Sequence, residues 1–120
     1  MDEKTCRKLV RERASDDWYD PNGERLPCEC CGQWKPFELH HRKFRSRGGG
    51  WVPSNILLLC RDCHRATTDE RGHGIGLNVH SWEDATMVPV RVWYKPKPVL
   101  LADDGTVSEI DATDHKVDTG

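Results

Sequence analysis

No apolar run in this chain approaches the roughly 20 residues that span a membrane, so no spanning helix is expected. The opening residues, MDEKTCRKLVRER, are charged throughout and lack the apolar stretch of a secretory signal. An intracellular, cytoplasmic protein with no membrane partner is the expectation. Apolar residues are also scarce, at 36%, and the mean hydropathy is −0.77. With 120 residues the chain makes one domain whose core is small for its length. Cores of that kind usually need a staple, and a metal ion is one. A net charge of only −2 argues at first against a nucleic-acid partner. There is no internal repeat.

The charge is unevenly placed. From Gln33 to Arg65, seven bases face two acids, a local charge of +5. From Leu101 to Gly120, six acids face one base, a local charge of −5. Local charge decides whether a surface attracts phosphate, so a basic segment balanced by an acidic tail keeps nucleic acid in play. Ordinary solvated surface is the alternative for that basic run.

What the chain does have is six cysteines, four of them in two CxxC pairs: Cys28 with Cys31, and Cys60 with Cys63. Two residues between cysteines let both sulfurs of a tight turn face one ion. Two such knuckles complete an all-thiolate tetrahedron for zinc. A redox CxxC is the competing reading, but two copies and a thin core favour Zn²⁺. Cys30 is an alternative to Cys31, although CxxC spacing favours Cys31. Cys6 and Cys30 are then spare thiols.

His40, His41, Asn55 and His64 lie between and beside the knuckles. Adjacent strand residues point to opposite faces, so His40 and His41 cannot both face one ion. One can hold a metal while the other addresses a substrate. His64 follows Cys63 directly, so the knuckle positions it. His73 and His80 lie outside this group.

Local patterns suggest a helix over residues 2–14, thin in apolar positions and so expected at the surface or mobile. A loop over 16–27 follows, then a knuckle turn at 28–34 with Gly32 in a left-handed position. Strands are expected at 37–42 and 56–59, around a glycine-rich loop at 45–55. A helix is expected from Arg61 to about Arg71. Beyond it lie strand-like pieces at 77–80, 88–94, 99–101 and 106–110, the last two joined by the hairpin turn Asp103-Asp104-Gly105. Trp34, Trp82 and Trp93 are expected in the core, and Trp51 is expected to anchor its loop there.

The segment from Pro27 to Arg71, PCECCGQWKPFELHHRKFRSRGGGWVPSNILLLCRDCHRATTDER, resembles the HNH endonucleases, the ββα-metal or His-Me finger family. Its CxxC, LHH, SRGG, PSN, LLC and CxxCH elements occur in the family's order. More weakly, VPVRVW and VLLADDGTV resemble the C-terminal β-region of HNH proteins of phages. The implied fold is α+β: a small zinc-stapled ββα-metal domain with an N-terminal helix and a C-terminal β-hairpin region. The implied organisation is helix and loop over 1–26, nuclease core over 27–74, β-rich extension over 75–110 and a disordered acidic tail over 111–120.

The resemblance implies a metal-dependent DNA endonuclease. His40 and His64 would hold a catalytic divalent ion, and His41 would be the general base. Asn55 would hold the loop and orient that base. Arg42, Lys43, Arg45 and Arg47 would meet DNA phosphates. Some members carry a further histidine where this chain has Thr68, a poor ligand, with Asp69 available only through water. Mg²⁺ or Mn²⁺ suits so open a site, although a histidine pair also accepts Zn²⁺ or Ni²⁺. A phage terminase and a second copy of the chain are the implied partners besides DNA, in a host cytoplasm. The other reading is a non-catalytic, zinc-stabilised nucleic-acid-binding or phage assembly factor.

Overall fold

The computed structural model describes residues 1–15, 26–45, 48–68 and 74–109. The expected loop at 16–27 lies largely outside these residues, and the expected acidic tail wholly so.

Helix α1 runs from Glu3 to Ser15. Asp2 caps it, accepting the Thr5 backbone N–H at 2.9 Å, and Glu3 pairs with Arg7 one turn on at 2.7 Å. Its buried stripe is Cys6, Val10 and Ala14, an i, i+4, i+8 row of small side chains. The expectation of a surface or mobile helix is therefore corrected. Small Cys6 and Ala14 add to its few large apolar residues on one buried face, and the same face carries Arg13 inward.

Strands β1 (Phe37–His41) and β2 (Ile56–Cys60) pair antiparallel, with His40 opposite Leu57 and His41 opposite Ile56. Directly opposed residues share a face, so this register sorts the side chains onto two sides. Ile56 and Leu58 pack with α1 and Leu26, with Phe37, Leu39 and Trp51 alongside. Leu57 and Leu59 pack on the other side with Leu77, Val90, Val99 and Leu101. All five residues of β2 are buried, as suits a strand covered on both faces.

Helix α2, Arg61–Arg65, starts directly from β2 and tightens into a 3₁₀ turn at Ala66–Thr68. The helix expected to reach Arg71 is thus shorter as an α-helix, and its last residues lie outside the described ones. β3 (Val99–Leu101) and β4 (Val107–Glu109) form the expected hairpin, turned by Gly105 at φ +92°. Segments 77–80 and 88–94 are not strands, apart from a single bridge from Val90 to Val99. Their backbone groups are committed elsewhere. Val79 N–H donates to the Arg42 carbonyl, and the carbonyls of Gly76 and Val88 accept from the Arg42 side chain.

A buried ion pair ties these pieces together. Glu29, between the first two knuckle cysteines, is fully buried and receives the Arg13 guanidinium through two bonds of 2.9 Å. The same carboxylate accepts Leu58 N–H and the Tyr94 hydroxyl, each at 2.9 Å. Arg13 also donates to the carbonyls of Pro53 and Ile56. Burial opposes the charge on Arg13, but Glu29 overrides it and raises the pKa.

Candidate metal centres

The first knuckle turns at Gly32, whose φ of +76° and amide bond to the Cys28 carbonyl close the loop. The left-handed expectation holds there, and the Trp93 ring lies where a side chain on Gly32 would go. The second knuckle runs off the end of β2 into α2. Together they bring the sulfurs of Cys28, Cys31, Cys60 and Cys63 within 4.8 Å of one another. Cys31 and Cys60 sulfurs are 3.7 Å apart. A tetrahedral zinc with bonds of about 2.3 Å sets its sulfurs about 3.8 Å apart, so the group fits Zn²⁺. Burial, with Cys31 nearby, pushes the Cys28 thiol up to about 11; burial and Cys28 push Cys63 upward. Four thiols this close resist ionising together, and a dication removes that resistance.

On the α2 side of the sheet, His40 is buried and its ring lies 5.0 Å from that of His64, edge to face. His40 Nε2 lies 2.9 Å from the Leu77 carbonyl and 3.1 Å from Asn78 Oδ1. A carbonyl only accepts, so Nε2 carries the proton and Nδ1 keeps its lone pair. Asn78 in turn donates to the Thr67 carbonyl, linking the His40 ring to the turn that ends α2. His64 Nδ1 lies 3.6 Å from Glu38 Oε2. Glu38 sits two residues before His40 and so on the same strand face.

His41 points the other way. Its ring lies edge-on to Trp51 at 4.5 Å, beside α1, and its Nε2 is covered and has no hydrogen-bond partner among the described residues. Arg7 of α1 lies 4.9 Å above the Trp51 ring. Burial first, then Arg45, holds the His41 pKa below its ordinary 6.5. Asn55 is buried and pins the glycine loop. It accepts Lys43 N–H at 2.7 Å and donates to the carbonyls of Lys43 and Gly50. Its side chain makes no bond to His41, so it secures the loop rather than that ring.

Residues 28–70 match the family model for HNH endonuclease. The chain carries an HNH domain. No curated protein and no solved structure gives a significant match. HNH domains belong to metal-dependent nucleases, and the matched stretch contains the cysteine cluster, His40 and His64. The α+β fold, with its antiparallel pairs and clustered cysteines, is the one the HNH resemblance implies.

Among the basic residues, Arg42 is corrected. It is fully buried, and its guanidinium donates to the carbonyls of Gly76, Ser54, Ala85 and Val88 at 2.8–3.0 Å. Burial, then the Arg13 charge, lowers its pKa to about 10. It clamps the segment after α2 to the end of β1 and cannot reach a phosphate. Lys43 is half-buried at the loop base and Arg45 is exposed, while Arg47 lies outside the described residues. The tryptophan expectation is also overturned at three positions. Trp34, Trp82 and Trp93 are 50%, 78% and 40% exposed, whereas Trp51 packs against the α1 cluster as expected. Three side chains that structure this region were missed: Glu29, Glu38 and Asn78. Only Glu38 had a sequence signal, its two-residue spacing from His40.

The buried His40 sets a pH dependence. Burial holds its pKa down to about 4 against an ordinary 6.5. A depressed folded value means the unfolded chain takes the proton first, so this stability is present above about 6.5. It drains as pH falls toward 4, up to about 3 kcal/mol in all. Denaturant midpoints should fall between pH 7.5 and 5.5, and His40→Gln should flatten that slope. The thiolates are common to both proteins, so equal slopes would assign the loss to them instead.

Proposed function

We propose that this protein is a metal-dependent DNA endonuclease that hydrolyses phosphodiester bonds at the His40–His64 pair. The observation carrying this reading is that fold and register bring these two rings within 5.0 Å on one face of a zinc-stapled HNH domain. The donor set fits a divalent ion. His40 offers Nδ1 because Leu77 and Asn78 hold Nε2, and Glu38 lies beside His64 in the outer position from which carboxylates orient such rings. A bound Mg²⁺ or Mn²⁺ would polarise a phosphate oxygen and stabilise the leaving oxygen.

His41 is the proposed general base. Its lowered pKa keeps it neutral near pH 7, the form able to take a proton from water. Here its ring is sealed against Trp51 on the sheet face away from the His40–His64 pair, so this role requires the His41 ring to turn toward that pair. Lys43 and Arg45 flank the glycine loop and are the proposed phosphate contacts on the described chain, with Arg47 the third.

A plasmid-nicking assay tests this. Nicking is expected with Mg²⁺ or Mn²⁺ and not with EDTA. His64→Ala should lose nicking at low metal and recover part of it in excess Mn²⁺. His41→Ala should lose about 10²–10⁴-fold without such recovery. One observation favours the second reading, a non-catalytic nucleic-acid-binding module: the sealed His41 Nε2. DNA binding with no cleavage under any metal would establish that reading instead.

A further inference from the structure

Trp82 is 78% exposed, yet it is not loosely placed. Its ring lies parallel to His80 at 4.4 Å with 3° between the planes. The turn beneath is closed at both ends: Glu83 N–H donates to the His80 carbonyl, and Glu83 Oε1 accepts His80 N–H. One indole face rests on His80 and the other is open to solvent. Segment 77–80, which holds His40 through Leu77 and Asn78, leads directly into this stack.

Trp82 borders an open cleft of about 380 Å³, whose other wall is the glycine loop with Lys43 and Asn55. Two of its glycines have reasons within the fold. Gly48 has a φ of +90°, and a side chain on Gly49 would strike the Lys43 carbonyl. Gly50 has neither reason among the described residues, since a Cβ there meets none of them within 4 Å and its φ is outside the left-handed range. A glycine that the fold does not require, on the wall of a cleft, leaves bare backbone for something outside the chain to approach.

We propose that Trp82, stacked on His80, is the platform for one unpaired base of the bound DNA strand. The ring would lie on the open indole face beside Glu83 and Asp84, and only the linkage next to it would meet Lys43 and Gly50 on the opposite wall. Among the described lining residues Glu83, Asp84 and Asp103 outnumber Lys43, which favours a neutral ring over a free phosphate on the Trp82 wall. Stacking tolerates any base, since each has a π-face. The ligand class rests on the nuclease reading; the platform does not depend on cleavage.

The test is fluorescence anisotropy of the zinc-loaded full chain, without added Mg²⁺ or Mn²⁺. The probes are a single-stranded thymidine 12-mer and an abasic sugar-phosphate chain of the same length. The natural protein should prefer the thymidine strand by roughly 5- to 100-fold, the range of one base–aromatic stack. Trp82→Ala should lose that preference while binding the abasic chain as before, and Trp82→Phe should keep most of it. Gly50→Val should weaken the thymidine strand with an unchanged melting temperature. A Trp82→Ala protein that binds the thymidine strand as the natural protein does overturns the platform. Plasmid nicking is scored separately, so an intact preference without nicking sinks only the nuclease reading.

Discussion

Cys60→Ser is expected to unfold the half of this protein built around the four-cysteine cluster, not merely to lower its metal content. Cys60 is the hinge of the arrangement: it ends β2, opens α2 and points its sulfur at Cys31. The apolar cluster around it is built from four leucines, Leu57, Leu59, Leu77 and Leu101, and three valines, together with Cys28. A structural zinc contributes on the order of 10 kcal/mol of apparent binding energy, comparable with the whole net stability of a small domain. Purified protein should carry near-stoichiometric zinc. Cys60→Ser should lose that zinc and the dispersion of its amide resonances together. Cys30→Ser is the control, since Cys30 packs beside the cluster but lies outside the four-sulfur group. Full zinc in Cys60→Ser, or its loss in Cys30→Ser, would show that the ligands have been assigned wrongly.

Glu29→Ala should be nearly as damaging, though it touches no metal ligand chemically. The change strands the Arg13 guanidinium in a place where its side chain is 2% exposed. It also removes the acceptor for Leu58 N–H and for Tyr94. Breaking a buried pair from one side costs roughly 3–5 kcal/mol because the remaining charge has no water to turn to. Urea midpoints should fall accordingly, with Arg13→Ala close behind. The double variant should lose much less than the two single losses added together, because the stranded charge is gone. Additive losses would mean that the two residues act independently and that the pair is not the link between α1 and the first knuckle.

Much of the site was legible without coordinates because its information is local. CxxC spacing forces two sulfurs to one side of a tight turn, so Cys28, Cys31, Cys60 and Cys63 could be paired from the chain alone. Gly32 was readable because few residues other than glycine tolerate its φ of +76°. The opposed directions of His40 and His41 follow from the alternation of any strand. The Asp103-Asp104-Gly105 turn was likewise written in residue type.

What the sequence could not settle was which polar side chains turn inward, because that is decided by partners far along the chain. Arg42 reads like its neighbours Lys43 and Arg45. Only the convergence of four carbonyls from residues 54, 76, 85 and 88 makes it a buried clamp. Arg13 looks like a solvated helix residue until Glu29, sixteen positions on, is folded against it. Asn78 has no motif, and its role exists because segment 77–80 returns to the end of β1. The tryptophans divide for the same reason. Trp51 meets a helix face assembled from small residues, whereas Trp82 stacks on His80 and stays 78% exposed. Residue chemistry and spacing determined the cysteine knuckles and the strand faces, and motif order carried the resemblance to HNH endonucleases. Burial of charge and the exposure of aromatic rings were decided by tertiary contacts, since a side chain's environment is a property of everything packed around it.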